Sequence, residues 1–332
     1  MIMKVSELGE FKLIELIAKT IGRTGGGRLL MGIGDDAACW KAKGLQLATT
    51  DALIEGVHFD LKNITWSELG WKAMAVNLSD IAAMGGRPLY ALVSLGVPAD
   101  TVVENIIELY RGMLELAKKF KVRIVGGDTV SSPLIALTVT LIGETKEKSR
   151  PLRRSAARTG DMIAVTGTFG ASAGGLAMTR RGLSLEKKAT DALREAHIRP
   201  APRIKEGMIL ARNGVRAAID VSDGLLGDLE KLCLASEVGA RIYSDRIPIH
   251  PAVVKSFGNE ALTLALTGGE DYELIFTAAQ KIVDRCKRDL PCAVTVIGKI
   301  VKGKGVRVFD EDGNEFSWGL PGWDHFAKGT RL

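Results

Sequence analysis

The chain has 332 residues, 46% hydrophobic, 25% charged and 5% aromatic, with a formal net charge of +6, as in an ordinary globular protein long enough for two domains. The basic excess is scattered, densest at Arg150, Arg153, Arg154 and Arg158, and with so few aromatics it reads as a solvated surface, not a nucleic-acid interface, although that cluster can still meet a phosphate. No apolar run is long enough to cross a bilayer, residues 1–10 lack a signal-peptide pattern, and Cys39, Cys233, Cys286 and Cys292 form no Cys-x-x-Cys pair and have no His at zinc-ligand spacing; the expectation is a cytoplasmic protein with inert thiols and no membrane or nucleic-acid partner.

In chain order, 6–21 reads as an amphipathic helix with Leu8, Phe11, Ile14, Ile17 and Ile21 near one face. A glycine-rich loop follows at 23–28, and 29–33 and 45–50 read as strands. Thr65-x-x-Glu68 is a capping box that opens a helix over 66–84, stopped by Gly85-Gly86 with Pro88 just beyond. Residues 89–97 are rich in β-formers. Thr101-x-x-Glu104 opens a second long helix to about Phe120, and 122–125 and 135–142 are strands. The polar, basic segment 146–158 places a boundary near its start, giving domains 1–147 and 148–332. Beyond it, 162–166 is a strand, 170–179 a helix start, and Arg199-Pro200-x-Pro202-Arg203 a rigid turn before another helix. A strand at 217–221 feeds a helix at 224–236, and 240–243, 274–277 and 294–299 are further strands. Strands and helices mix without strict βαβ alternation, which favours α+β domains over a doubly wound sheet.

Several aspartates stand in turns of glycine or small residues, most after a short apolar run. They are Asp35 and Asp36 after Gly34, Asp51 after Ala48-Thr49-Thr50, Asp128 after Gly126-Gly127, and Asp220 and Asp223 in Asp-Val-Ser-Asp-Gly. Glycine lets a ligand and the backbone approach closely, and clustered carboxylates repel one another unless a cation holds them. Mg²⁺ suits oxygen ligands combined with nucleotide phosphates, so the pattern points to metal-dependent phosphate chemistry. Taken singly, an Asp after a strand is more often a turn former or helix cap: Asp223 is placed to cap its helix and Asp35 to shape its turn. Asp80 resists that bland reading, because 73–84 is nearly all apolar and a carboxylate there needs a partner; Asn77 shares its face. Gly126-Gly127 can expose backbone N–H groups to an anion, although many turns look the same. Residues 268–273, Gly-Gly-Glu-Asp-Tyr-Glu, are a stronger signal. There is no Gly-x-x-x-x-Gly-Lys-Ser/Thr run, no His-Arg-Asp loop and no Gly-x-Ser-x-Gly elbow. Transferred phosphate should therefore pass directly between bound molecules, with catalysis by positioning and charge neutralisation.

The motifs at 32–38, 49–51, 56–59, 75–85, 126–129, 220–224, 268–273 and 323–326 occur in an order that resembles the thiamine-monophosphate kinase family along almost the whole chain. The wider superfamily includes aminoimidazole ribonucleotide synthetase, selenophosphate synthetase and a hydrogenase-maturation dehydratase. The last two use a reactive Cys or selenocysteine in an early loop or a Cys at the C-terminus, which the loop 23–28 and the final Gly329-Thr330-Arg331-Leu332 lack. The resemblance implies ATP-dependent phosphorylation of thiamine monophosphate to thiamine diphosphate with several Mg²⁺ ions bound. It also implies a two-domain aminoimidazole ribonucleotide synthetase-like α+β fold, with mixed and antiparallel sheets flanked by helices, and a homodimer joined through the N-terminal domains. Carried over by position, it implies metal ligands at Asp36, Thr49, Thr50, Asp51, Asp80, Asp128, Asp220 and Asp223. ATP would meet Tyr110, Gly127, Asp128, Arg154 and Ser222, and thiamine would meet His58, Glu270 and Trp323, whose aromatic face suits a cationic thiazolium. No covalent nucleophile is expected. The alternatives are another ATP-dependent enzyme of the superfamily or a non-catalytic nucleotide-binding protein.

Overall fold

The computed structural model describes residues 3–22, 26–33, 37–145 and 150–316. They divide into two compact units, one drawn from Met1–Ile81 and Arg87–Lys148 and the other from Ala82–Gly86 and Ser149–Thr330. Each combines helices with a sheet of mixed strand direction, an α+β architecture.

The first unit runs α1 (Val5–Leu8), α2 (Glu10–Ile21), β1 (Leu29–Met31), β2 (Cys39–Trp40), β3 (Gln46–Ile54), α3 (Trp66–Ala83), β4 (Arg87–Val97), α4 (Val103–Phe120), β5 (Arg123–Ser131) and β6 (Ala136–Glu144). Four strands form one sheet in the order β3-β6-β4-β5. Its two faces differ. Along β6, Leu137, Val139 and Leu141 are fully buried while the residues between them are half-exposed, the period-2 pattern of a sheet packed on one side. Helices α3 and α4 approach closely through Gly70 and Gly112, where a Cβ would fall 1.9 Å from the Leu109 carbonyl oxygen and 1.8 Å from that of Ser67. The capping box at Thr65 is formed: its N–H donates to Glu68 Oε2 at 2.8 Å and Glu68 N–H to Thr65 Oγ1 at 3.3 Å.

Several expectations change. Gly9, at φ 80°, breaks the first helix into two, and the face of α2 that is buried carries Leu13 and Ile17, leaving Phe11 80% exposed. Thr101 caps nothing. Val102 takes the N-cap position in extended conformation, because it bridges to Lys4 while Val103 N–H donates to the Met3 carbonyl. Strands β3 and β5 run on to Ile54 and Ser131, so Asp51 and Asp128 lie inside strands and not in turns at their ends; partner strand β6 supplies pairing along the whole of β3.

The second unit contains β7 (Met162–Thr166), α5 (Ala171–Arg181), α6 (Lys187–Ile198), α7 (Ile204–Arg212), β8 (Ala217–Asp220), α8 (Leu225–Ala235), β9 (Gly239–Tyr243), α9 (Pro251–Phe257), α10 (Ala261–Thr267), β10 (Leu274–Ala278), α11 (Gln280–Asp289), β11 (Val294–Val301), β12 (Gly305–Phe309) and β13 (Glu315–Phe316). The sheet order is β13-β12-β9-β11-β7-β10-β8, antiparallel except where β12 pairs with β9. β8 and β10 are buried along their whole length, which is why neither shows a period-2 alternation of apolar and polar residues. Ile163, Val165, Ile219 and Ile275 meet Leu225, Leu229 and Leu232 of α8 in one core, while Leu193, Val253 and Phe257 form a second under α5 and α6.

Candidate active site

In the first unit α3 brings an acid to the sheet. Asp80 is only half-buried, but it follows a run in which 71–79 are all buried, and its Oδ2 accepts a short hydrogen bond from Thr49 Oγ1 on β3. Asp51 lies two residues on from Thr49 and therefore shares its face, opposite buried Val139. Thr49, Asp51 and Asp80 thus lie on the helix-covered side of the sheet. Asn77, on the same face of α3 and fully buried, donates from Nδ2 to the Ala73 carbonyl at 3.1 Å, while its Oδ1 has no hydrogen-bond partner.

Other expected residues of this unit are placed differently. Thr50 belongs to the opposite face, its Oγ1 accepting from Thr140 Oγ1 at 3.0 Å. Asp128 pairs in register with Ser94, and Ser94 with Thr138, which puts it on that open face and exposed. Gly127 has a steric duty: at φ 159° its absent Cβ would lie 1.9 Å from the Val93 carbonyl oxygen. His58 follows β3, and its Nδ1 accepts the Ile54 N–H at 3.0 Å, so the ring proton of the neutral form sits on Nε2. Tyr110 is 3% exposed on α4, and burial raises its phenol above the ordinary range. Asp36 and Trp323 lie outside the described residues.

In the second unit Asp220, 3% exposed, ends β8, and the chain turns through Ser222, Asp223 and Gly224 into α8. Gly224 takes φ 113° where a Cβ would meet the Thr267 carbonyl oxygen at 2.8 Å. Asp223 does not cap α8, whose N-cap is Gly224 without a side-chain bond; its carboxylate is paired with Lys231. The turn is held by a residue that sequence reasoning passed over. Asp228, almost fully buried, accepts the N–H groups of Ser222 and Asp223 at 2.9 and 2.8 Å on Oδ2, and Lys231 Nζ at 2.7 Å on Oδ1. Burial pushes its carboxyl up, against the pull of Lys231. Its signal was the one that singled out Asp80, an acid inside the apolar helical run Leu225-Leu226-Gly227-Asp228-Leu229. Arg154 sits exposed in a single 3₁₀ turn, Arg154–Ala156, whose carbonyl accepts from Ser236 Oγ at 2.6 Å.

The segment 268–273 serves several ends at once. Glu270 Oε2 lies 3.2 Å from His197 Nδ1. Asp271 accepts the N–H groups of Gly170 and Ser172 at the start of α5, at 2.8 and 3.2 Å. Burial drives its carboxyl up to about 7 although both N–H groups pull the other way. Glu273 accepts from Thr166 Oγ1 at 2.6 Å and Arg203 Nε at 2.6 Å. Among the described residues no group of three His, Cys, Asp or Glu side chains stands ready to hold a metal ion. Mg²⁺ keeps several waters and shares phosphate oxygens, and needs no all-protein cage. The all-oxygen set of Thr49, Asp51 and Asp80, gathered from β3 and α3, fits that chemistry.

Residues 34–145 match the family model for the AIR synthase related protein, N-terminal domain, and residues 158–311 that for the C-terminal domain. The chain is 38% identical over 329 residues to a thiamine-monophosphate kinase of Bacillus subtilis (strain 168), covering 96% of this chain and 100% of that protein. Among solved structures it is similar to thiamine-monophosphate kinase from Stenotrophomonas maltophilia K279a, with a TM-score of 0.81, 38% identity, and coverage of 93% of this chain and 98% of that one. It is also similar to AaThiL complexed with AMPPCP and TMP, with a TM-score of 0.76, 34% identity, and coverage of 98% and 99%. With both family models matched and more than nine-tenths of its length shared with these relatives, the chain belongs to the thiamine-monophosphate kinase family of AIR synthase related proteins.

Proposed function

We propose that the protein transfers the γ-phosphoryl group of ATP to thiamine monophosphate, giving thiamine diphosphate and ADP, with Mg²⁺ as the neutralising cation. The observation that carries the reading is the Thr49–Asp80 contact, which joins acid-bearing segments far apart in sequence on one side of a sheet. It is supported by the relative complexed with AMPPCP, an ATP analogue, and TMP. Bound Mg²⁺ ions would supply charge neutralisation to the polyphosphate; Asp36, Thr49, Thr50, Asp51, Asp80, Asp128, Asp220 and Asp223 are the residues proposed to hold several such ions, with Thr50 and Asp128 on the open face of the sheet, apart from Thr49, Asp51 and Asp80. Tyr110, Gly127, Asp128, Arg154 and Ser222 are proposed at ATP, and His58, Glu270 and Trp323 at the acceptor.

An acceptor phosphate oxygen attacks γ-phosphorus while the bond to the β-phosphate bridging oxygen breaks. The attacking oxygen is already ionised at neutral pH, so no general base is required, and a loose transition state asks little of a protein nucleophile. In-line inversion without a phosphoenzyme follows. No helix among the described residues is long and apolar enough to cross a membrane, and the described cysteines are free thiols, in keeping with the proposed cytoplasmic setting. The proposal includes domains at 1–147 and 148–332 and a homodimer through the first. A coupled assay with ATP, Mg²⁺ and thiamine monophosphate should yield thiamine diphosphate and ADP in equal amounts. Nucleotide binding without any product in folded protein would instead favour a non-catalytic nucleotide binder.

A further inference from the structure

Glu270 and Tyr272 both adopt left-handed backbone conformations, at φ 66° and 50°. Residues with side chains persist in such conformations only where the surroundings over-determine them. Here they do. Glu270 N–H donates to the Ser222 carbonyl at 2.8 Å and Tyr272 N–H to that of Val221 at 2.9 Å. Asp271, between them, is drawn onto the first N–H groups of α5. Gly269 packs so close that a Cβ would lie 2.5 Å from the Ser222 carbonyl oxygen. The backbone at Glu270 is therefore fixed, but its side chain retains three torsions.

Those torsions are met by His197, at the end of α6. Its Nδ1 lies 3.2 Å from Glu270 Oε2 and 3.0 Å from Ser172 Oγ. Ser172 is 1% exposed in the first turn of α5. The backbone that carries the ring is fixed, because α5 and α6 touch backbone to backbone. At Gly175 a Cβ would fall 2.2 Å from the Leu193 carbonyl oxygen and 3.0 Å from His197 Cβ. A carboxylate only accepts, so a ring protonated on Nδ1 can donate to Glu270 Oε2, while Ser172 Oγ stands within hydrogen-bond distance of the same nitrogen.

We propose that His197, backed by Ser172, is a positioning residue for the acceptor: protonated on Nδ1, it holds the Glu270 carboxylate in one rotamer, ready for a cationic heteroaromatic ring on a phosphate-bearing substrate. This rests on the reading of Glu270 as an acceptor contact. In metal sites, partners that orient a functional side chain through a hydrogen bond typically matter by about 10–100-fold when lost, and the lower end of that scale is expected here.

The test is steady-state kinetics on the full chain for His197→Ala, His197→Asn, His197→Gln and Glu270→Gln, with thermal midpoints measured alongside. Asn places its amide nitrogen where Nδ1 stands, whereas Gln extends to the Nε2 position. Glu270→Gln and His197→Ala should each raise KM for thiamine monophosphate by about ten-fold, with kcat and KM for ATP changed by less than about two-fold. Asn should restore most of the acceptor KM and Gln should not. A raised KM in Glu270→Gln with a normal KM in His197→Ala overturns the positioning role and leaves the Glu270 contact standing. A normal KM in Glu270→Gln removes the contact and the proposal with it. Should His197→Ala fail to fold, the Asn and Gln variants decide, and equal acceptor KM values in those two would overturn the proposal.

Discussion

At Asp80 an Asn substitution removes one charge and almost no volume, so it separates a metal ligand from a structural acid. Thr49 Oγ1 can still donate to the amide oxygen, and the folded state should be preserved. Turnover should fall by about 100-fold or more at saturating Mg²⁺, the scale for losing one element of transition-state charge stabilisation; near-normal kcat would strike Asp80 from the ligand set. Asp228 works the other way. Asp228→Ala leaves the N–H groups of Ser222 and Asp223 and the Lys231 ammonium short of an acceptor. Stability should drop by about 2–3 kcal/mol in denaturant titration, discounted from a fully buried pair because Lys231 is 42% exposed. Asp271 makes stability depend on pH. Its folded pKa, about 7, is raised above the ordinary carboxylate value of 3.8. Its contribution is therefore fully present below about pH 4 and is lost as pH rises through about 7. Asp271→Asn should flatten the fall in thermal midpoint between about pH 4 and about pH 7. An unchanged slope would show that Asp271 is already ionised across that range.

Helices α3 and α4 depend on two glycines whose role no periodicity reveals. A Cβ at Gly112 would collide with the Ser67 carbonyl, and one at Gly70 with Leu109. Backbone cannot yield as a flexible side chain does, so Gly112→Ala should cost about 1–3 kcal/mol or more through overpacking, even though alanine favours helix by up to about 1 kcal/mol. A rise in the thermal midpoint would mean that the helices separate freely. Where burial is periodic or complete, elements were legible: 162–166 coincides with β7, and α3 ends within a residue of its expected stop. The helices α6, α9, α10 and α11 were not, because they are short or mostly polar; α6 buries only Ala189, Leu193 and Ile198. The acids at 80, 220 and 223 were visible from context, and the same context would have exposed Asp228. The alternation that separates Thr50 from Thr49 and Asp51 was also available, once the strand was read through to Ile54. His197 was beyond reach, since what makes it notable is contact with Ser172 and Glu270, set by the packing of α5 on α6 and by left-handed backbone at a non-glycine residue.

A sheet with one open face raises the question of assembly. Of the four-stranded sheet, one side is packed on helices. The other is partly covered at one end, where Leu29 and Trp40 of the β1–β2 hairpin meet Tyr90, Val125 and Ile142. Toward the other end Ala52, Ser94, Thr138 and Thr140 remain half-buried or exposed, and Val130, which continues the face of Asp128, stands 49% exposed. Small and hydroxyl side chains on a broad pleated face suit close approach by a second such face, and a two-fold axis makes the patch complementary to itself. The proposed homodimer should therefore use this face, and light scattering should give twice the chain mass of 35.6 kDa. Ser94 lies on β4, between β6 and β5 in the sheet. In Ser94→Arg the long side chain, beside Asp128, would be accommodated in a single chain, but in the dimer its bulk would hold the two faces apart and it would have to be desolvated together with that carboxylate, at a cost of several kcal/mol. That variant should run near 35.6 kDa with unchanged far-UV circular dichroism, since nothing inside the unit is disturbed. A wild-type chain that is monomeric at micromolar concentration would remove the homodimer. A Ser94→Arg variant that stays dimeric would move the interface to another surface.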